Sequence, residues 1–219
     1  MRRDSGPELG TIPAVTQFAP VERAALADLM TELGPDAPTL CEGWTTRDLA
    51  AHLVARATRP DAAGGIVIKG LAGYLQRVQD RIATEDWPRL VARVRRRPWW
   101  AALGEEAVNR TEYFIHHEDV RRAQPGWQPR ELPPGLDAAL WPRVRTLAKL
   151  ALRRTPASVT VTAPGFGSVT SGRGGPEVDL LGAPSELLLF LSGRQAHAEV
   201  ELAGPAALTD RMRAARYGV

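Results

Sequence analysis

Five stretches before residue 125 repeat apolar residues at helical spacing, and proline or glycine closes most of them. A chain punctuated in this way stacks helices in that half and leaves little room there for a sheet. Pro20 opens the first helix, where a proline suits the first turn, and Gly34-Pro35 ends it. Leu26, Leu29, Met30 and Leu33 form its apolar stripe. A loop from Pro38 to Trp44 follows, with Trp44 as a packing anchor. Thr45 and Asp48 have the form of a capping box with Asp in place of Glu, which starts a second helix over about Thr46 to Thr58. After a break from Pro60 to Gly65, Leu71, Leu75, Val78 and Ile82 resume the helical period. Further helices run from Trp87 to Arg97, stopped by Pro98, and from Glu105 to Ala123, closed by Gln124-Pro125-Gly126. Helix after helix with short links is the pattern of an antiparallel bundle.

The pattern changes after Pro133-Pro134-Gly135. A helix from Leu136 to Arg153 carries Leu140, Val144, Leu147 and Leu150 along one side. Ser158 to Thr162 then alternates and is β-branched, with Ser168-Val169-Thr170 as its hairpin partner. Glu177 to Leu181 and Ala198 to Leu202 alternate in the same way, with a helix from Pro184 between them and another from Leu208 to Arg216 at the end. The expected fold class is α+β, with a helical bundle over residues 1–130 and a small α+β domain over 131–219.

Composition bounds the chemistry. With 219 residues and 44% hydrophobic content the chain can bury a real core. One cysteine, Cys41, excludes an intrachain disulfide and a multi-cysteine zinc site, so any metal falls to histidines and carboxylates. No stretch approaches the ~18 apolar residues of a membrane span. Met1 to Pro7 is followed by no apolar leader core, and the expected location is cytoplasmic, with no membrane partner. The net charge of +3 is carried mostly by arginine. The run from Arg89 to Arg97 reads as the solvated face of an amphipathic helix, and no nucleic-acid partner is expected.

The histidines are His52, His116, His117 and His197. Glu112 and His116 are four residues apart, so they share one helical face and can reach one ion. His52, between Leu49 and Leu53, points inward on the second helix. Bundles build metal sites from such inward-facing residues, and two imidazoles with one carboxylate leave an open, catalytic type of shell. The plainer alternatives are a hydrogen-bonded core histidine and an ordinary contact one helical turn long. His117 has Tyr113, not a carboxylate, four residues before it, and reads as a supporting or surface residue. Asp119 can orient a ligand or approach the open position. Cys41 has no His or Lys beside it in sequence and reads as a structural thiol, and His197 is assigned no role. The glycines fit neither a P-loop nor a dinucleotide fingerprint, and no nucleophile elbow occurs.

Three segments carry a resemblance. They are Cys41-Glu42-Gly43-Trp44-Thr45-Thr46-Arg47-Asp48-Leu49-Ala50-Ala51-His52-Leu53, the Glu112/His116 pair with His117-Glu118-Asp119-Val120 after it, and Glu186 to Arg194. Together they resemble the mycothiol-dependent maleylpyruvate isomerase family, part of the wider DinB-like metal-binding bundles of actinobacteria. The resemblance implies a DinB-like antiparallel four-helix bundle followed by a small C-terminal α/β (SCP2-like) domain. It implies zinc on His52, Glu112 and His116, with iron or nickel as alternatives. It also implies mycothiol as co-substrate in transferase or isomerase chemistry on a small electrophile, in a monomer or homodimer. Arg194 would be the assisting arginine, gripping a substrate carboxylate through its fork. An enzyme of this kind is expected to show an open metal position and a pocket between the domains with an arginine facing it. A non-catalytic metal or small-molecule binding protein of the same fold would instead close the shell with Cys41 or His117.

Overall fold

The computed structural model describes residues 17–58, 72–96 and 105–217. Among them are eight α-helices and a four-stranded sheet, a mixed α+β architecture. The helices are α1 (Phe18–Leu33), α2 (Thr46–Thr58), α3 (Ala72–Ala83), α4 (Trp87–Arg95), α5 (Glu105–Arg122), α6 (Leu136–Ala151), α7 (Pro184–Leu191) and α8 (Ala206–Ala214). No described helix is long and apolar enough to cross a membrane. The break expected from Pro60 to Gly65, and the stop at Pro98, lie outside the described residues.

Local chemistry sets the helix starts. α1 begins two residues before Pro20 because the Glu106 carboxylate, from α5, accepts the Phe18 and Ala19 N–H groups at 2.9 and 3.1 Å. Those donors would otherwise lack partners. At α2, Asp48 Oδ2 accepts the Thr45 N–H at 2.8 Å and the Thr45 hydroxyl at 2.7 Å, the expected box. α1 lies along α5, α4 crosses α1 and α2, and α2 packs on α3. Leu26, Met30, Leu49, Leu53, Leu90 and Val94 meet in the core of this half.

The sheet has the order β2-β1-β3-β4, with β1 (Ser158–Ala163), β2 (Gly167–Gly172), β3 (Glu177–Leu181) and β4 (Glu201–Ala203). β1 pairs antiparallel to β2 and parallel to β3, and β3 pairs antiparallel to β4. Val159, Val161 and Ala163 face the core while Thr160 and Thr162 face outward, as the alternation requires. β4 is shorter than the expected 198–202 because a 3₁₀ turn over Gln195–His197 precedes it and ladder pairing starts only at Glu201. Gly172 ends β2 at φ +112°, where a Cβ would sit 2.0 Å from the Ala157 carbonyl oxygen, so glycine is required. α7 is buried from Leu187 to Leu191 and packs on α6.

The stripe expected on α6 is rotated. Leu136, Leu140, Trp141, Val144 and Ala148 are the buried positions, whereas Leu150 is 53% exposed. Ten residues beyond Leu140, Leu150 has drifted about 80° round the helix and left the contact face. Phe18 and Phe114 join the core between α6, α7 and the sheet, so the two halves share packing.

Buried charges make a second connection. Glu118 accepts Arg122 Nε at 2.6 Å and Arg130 Nε at 2.7 Å. Glu22 accepts Arg130 Nη2 at 2.7 Å and contacts His117 Nδ1 at 2.9 Å. Arg122 reaches Glu186 on α7 at 2.6 Å. His117 is therefore buried against Glu22, which corrects the surface alternative of its sequence reading and leaves the supporting one. Burial pushes the Glu22 pKa up, but hydrogen bonds and charge from His117 and Arg130 overcome it and hold the group below its ordinary value of 4.5. A depressed carboxylate pKa adds stability above the unfolded-state pKa and loses it as pH falls through the folded-state value. Glu22→Gln should therefore unfold about 1–3 kcal/mol more easily than the wild type near neutrality. In urea titrations the difference should shrink as pH falls below 4.5, and a pH-independent difference would contradict the assignment.

Candidate metal centre

Two helices bring the expected ligands together. His52 projects from α2, and Glu112 and His116 project one turn apart from α5. Glu112 Oε1 lies 3.3 Å from His116 Nε2 and 3.7 Å from His52 Nε2. The three ligand atoms all lie within 4.8 Å of one another. In a tetrahedral shell with bonds of about 2.1 Å, neighbouring ligand atoms stand about 3.4 Å apart. The donor set and its spacing fit a divalent ion.

The far side of each ring is also held. His116 Nδ1 donates to Asp119 Oδ2 at 2.9 Å, which leaves Nε2 turned to Glu112. The Gln79 amide lies 2.8 Å from His52 Nδ1. The atom nearest the ring is the amide nitrogen, which donates, so Nδ1 accepts and the neutral ring carries its proton on Nε2, toward Glu112. The Trp44 ring packs beside His52 at 5.2 Å between centroids.

The electrostatics follow from this crowding. Burial raises the Glu112 pKa, but His116 and His52 outweigh it and keep the carboxyl far below the usual range. Burial is also the largest influence on His52, and it lowers that pKa. At His116 burial acts in the same direction, yet hydrogen bonds with Asp119, Cys41 and Glu112 raise it well above 6.5. Asp119 is raised by burial and pulled down to about 2 by donation from His116 and Arg194.

Several residues stand differently from their sequence reading. Cys41 is 75 residues from His116 in the chain, but its Sγ lies 3.9 Å from His116 Nδ1, 3.3 Å from Asp119 Oδ2 and 3.7 Å from Arg194 Nη2. Its half-buried thiol thus has the histidine and the cation that its sequence neighbours lack. It sits on the Nδ1 edge of His116, opposite the edge that faces Glu112, and His117 is occupied by Glu22. Neither joins the group of His52, Glu112 and His116 among the described residues.

Arg194 is close by, but its fork is full. Nε donates to Asp119 Oδ1 at 2.7 Å, Nη2 to Oδ2 at 2.6 Å, and Nη1 to the Ser192 carbonyl. Arg56, unremarked in the sequence, places Nε 3.5 Å from Glu112 Oε1 and donates from Nη1 to Asn109 Oδ1 at 2.7 Å. Its position one helical turn after His52 is the signal that could have found it. His197 rests against Trp127, and its carbonyl accepts from Arg122. A cavity of about 560 Å³ opens instead at the end of the sheet, between Phe166, Leu181, Pro184 and Glu201, and none of the cluster lines it.

No protein-family model matches this chain, and no curated protein matches it. Among solved structures, a mycothiol-dependent maleylpyruvate isomerase shares its fold, with a TM-score of 0.59 over 85% of this chain and 90% of that one at 14% identity. A histidine-to-alanine mutant of that isomerase gives the same values.

Asp119 is the point on which the centre's geometry rests. Asp119→Asn leaves Arg194 buried against a neutral amide, and breaking such a pair costs about 3–5 kcal/mol. Urea unfolding should show a loss of that order. A variant as stable as the wild type would mean that Arg194 and His116 are organised by something else.

Proposed function

We propose that this chain is a metal protein that holds one zinc ion on His52, Glu112 and His116, with iron or nickel as the alternatives. The observation that carries the reading is the convergence of two imidazole Nε2 atoms on one carboxylate oxygen, with each Nδ1 engaged behind. A hydrogen-bonded core histidine has no need of that arrangement twice at one oxygen. In the same reading residues 1–130 form a DinB-like four-helix bundle and residues 131–219 an SCP2-like domain.

The reaction we propose is a thiol-dependent transfer or isomerisation on a small electrophile, with mycothiol as the thiol. Support comes from the fold shared with a mycothiol-dependent isomerase and from the meeting of three possible ligand groups at the centre. When bound, zinc supplies a Lewis acid that lowers the pKa of a coordinated thiol or water and polarises a carbonyl. The chain's own residues set that ion's surroundings. Asp119 fixes the His116 tautomer, Gln79 holds the His52 ring in place at Nδ1, and Arg56 leaves Glu112 a counter-charge. Arg194 acts as a positioning residue, because its guanidinium holds Asp119 and so acts through His116. A non-catalytic metal-binding protein of the same fold is the second reading, and the filled fork of Arg194 favours it.

Elemental analysis decides between metal and no metal. Wild-type protein purified without chelators should carry about one zinc per chain, and His52→Ala should lose it. No stoichiometric metal in the wild type, even after reconstitution, would sink the reading and leave a buried hydrogen-bonded cluster. A loaded wild type would then be screened with thiol and electrophile pairs.

A further inference from the structure

Two arginines approach this centre, and they differ in what their guanidinium edges are doing. The Nε–Nη2 edge of arginine is one of its two-pronged faces for a carboxylate. On Arg194 that edge is closed, with both nitrogens on the two oxygens of Asp119 at 2.7 and 2.6 Å. On Arg56 the same edge is open. Its Nε stands 3.5 Å from Glu112 Oε1, too long for a good hydrogen bond, and its Nη2 has no protein acceptor among the described residues. Glu112 holds this edge loosely because the same oxygen faces two imidazoles.

Asn109 sets the direction of that open edge. It is fully buried on α5, three residues before Glu112 and on the same face. Arginine only donates, so the Asn109 oxygen must be the atom that takes Arg56 Nη1 at 2.7 Å. The amide cannot turn over without losing that bond. Its Nδ2 is left buried with no partner among the described residues, which a protein rarely tolerates without a reason. One guanidinium is thus anchored at one nitrogen and, among the described residues, without a close protein acceptor along the edge beside Glu112.

We propose that Arg56, oriented by Asn109, receives a carboxylate group of the substrate beside the metal centre, and that Arg194 does not. This rests on the metal reading only for what lies next to the bound group. The anion's site is defined by Arg56 and Asn109 alone. A substrate of this centre is then an electrophile that carries a carboxylate.

Acetate is the probe, with acetamide as its neutral counterpart, and the readout is the NMR signal of the Arg56 Nε–H in metal-free and zinc-loaded protein. Acetate should shift that signal saturably in both forms, and acetamide should not. Arg56→Lys keeps the charge but loses the two-pronged edge, and should weaken acetate binding, read on neighbouring amides, by about tenfold. Asn109→Ala should weaken it less, with the Arg56 signal retained. Unchanged circular dichroism of the Lys variant checks that it folds. No saturable shift at Arg56, an unchanged affinity in Arg56→Lys, or a shift at Arg194 in its place would each overturn the proposal. If zinc fails to bind while acetate still moves Arg56, the metal reading falls and this one stands. If zinc binds and Arg56 does not respond to acetate, this proposal falls and the metal reading stands.

Discussion

Asp119 carries its charge with no side-chain surface open to water, and three donors meet it there. His116 Nδ1 and both prongs of Arg194 fill its two oxygens, and the Cys41 thiol adds a longer contact. Its backbone carbonyl also accepts the Leu40 N–H at 3.0 Å, so the loop before α2 is held at the same residue. A buried carboxylate of this kind is costly unless each of its lone pairs is used. Because they are used, one side chain fixes the ring orientation at the candidate centre, the seat of the Cys41 loop and the approach of the Gly193-Arg194 segment. The approach of His116 to Glu112 depends on that prior arrangement.

α5 extends the same principle along its length. His116 faces the cluster, His117 pairs with Glu22 on α1, Glu118 takes Arg122 and Arg130, and Asp119 takes Arg194. Four consecutive polar residues therefore point to four different neighbours, and all are buried. Apolar packing alone could slide this helix by a turn at modest cost. Paired charges cannot slide, since any shift leaves a buried ion without its partner. The network is best understood as a device for register. It holds α5 against α1 and α7 closely enough for a three-residue cluster to have fixed distances.

Local features are legible in the sequence, and distant ones are hidden. The Thr45/Asp48 box, the β1–β2 hairpin and the Glu112/His116 pair all depend on residues within a few positions of each other, where spacing alone determines who meets whom. Leu150 departs from its expected place because a stripe continued by eye drifts off the face after three turns. Cys41 reads as an isolated thiol because its partners lie 75, 78 and 153 residues away. Nothing in a single chain tells that a thiol from one loop will settle between a histidine of α5 and an arginine beyond α7. Gln79, reaching His52 from α3, is invisible for the same reason.

The two arginines show why a motif can point to the right residue and still misstate its task. The Gly-Arg setting singles out Arg194, and that residue does stand at the centre. What it can do there is decided by its partner. Asp119 is wholly buried and offers two oxygens in the plane of the fork, so the pair closes on itself. Glu112 is partly open to solvent and shares one oxygen among two imidazoles and Arg56, and only His116, at 3.3 Å, comes within hydrogen-bond distance of it. Residue type is the same in both cases, but the contacts are 2.6 and 2.7 Å at Asp119 and 3.5 Å at Glu112. The competition for the carboxylate differs, and that competition leaves one guanidinium built into the scaffold and the other with an edge to offer.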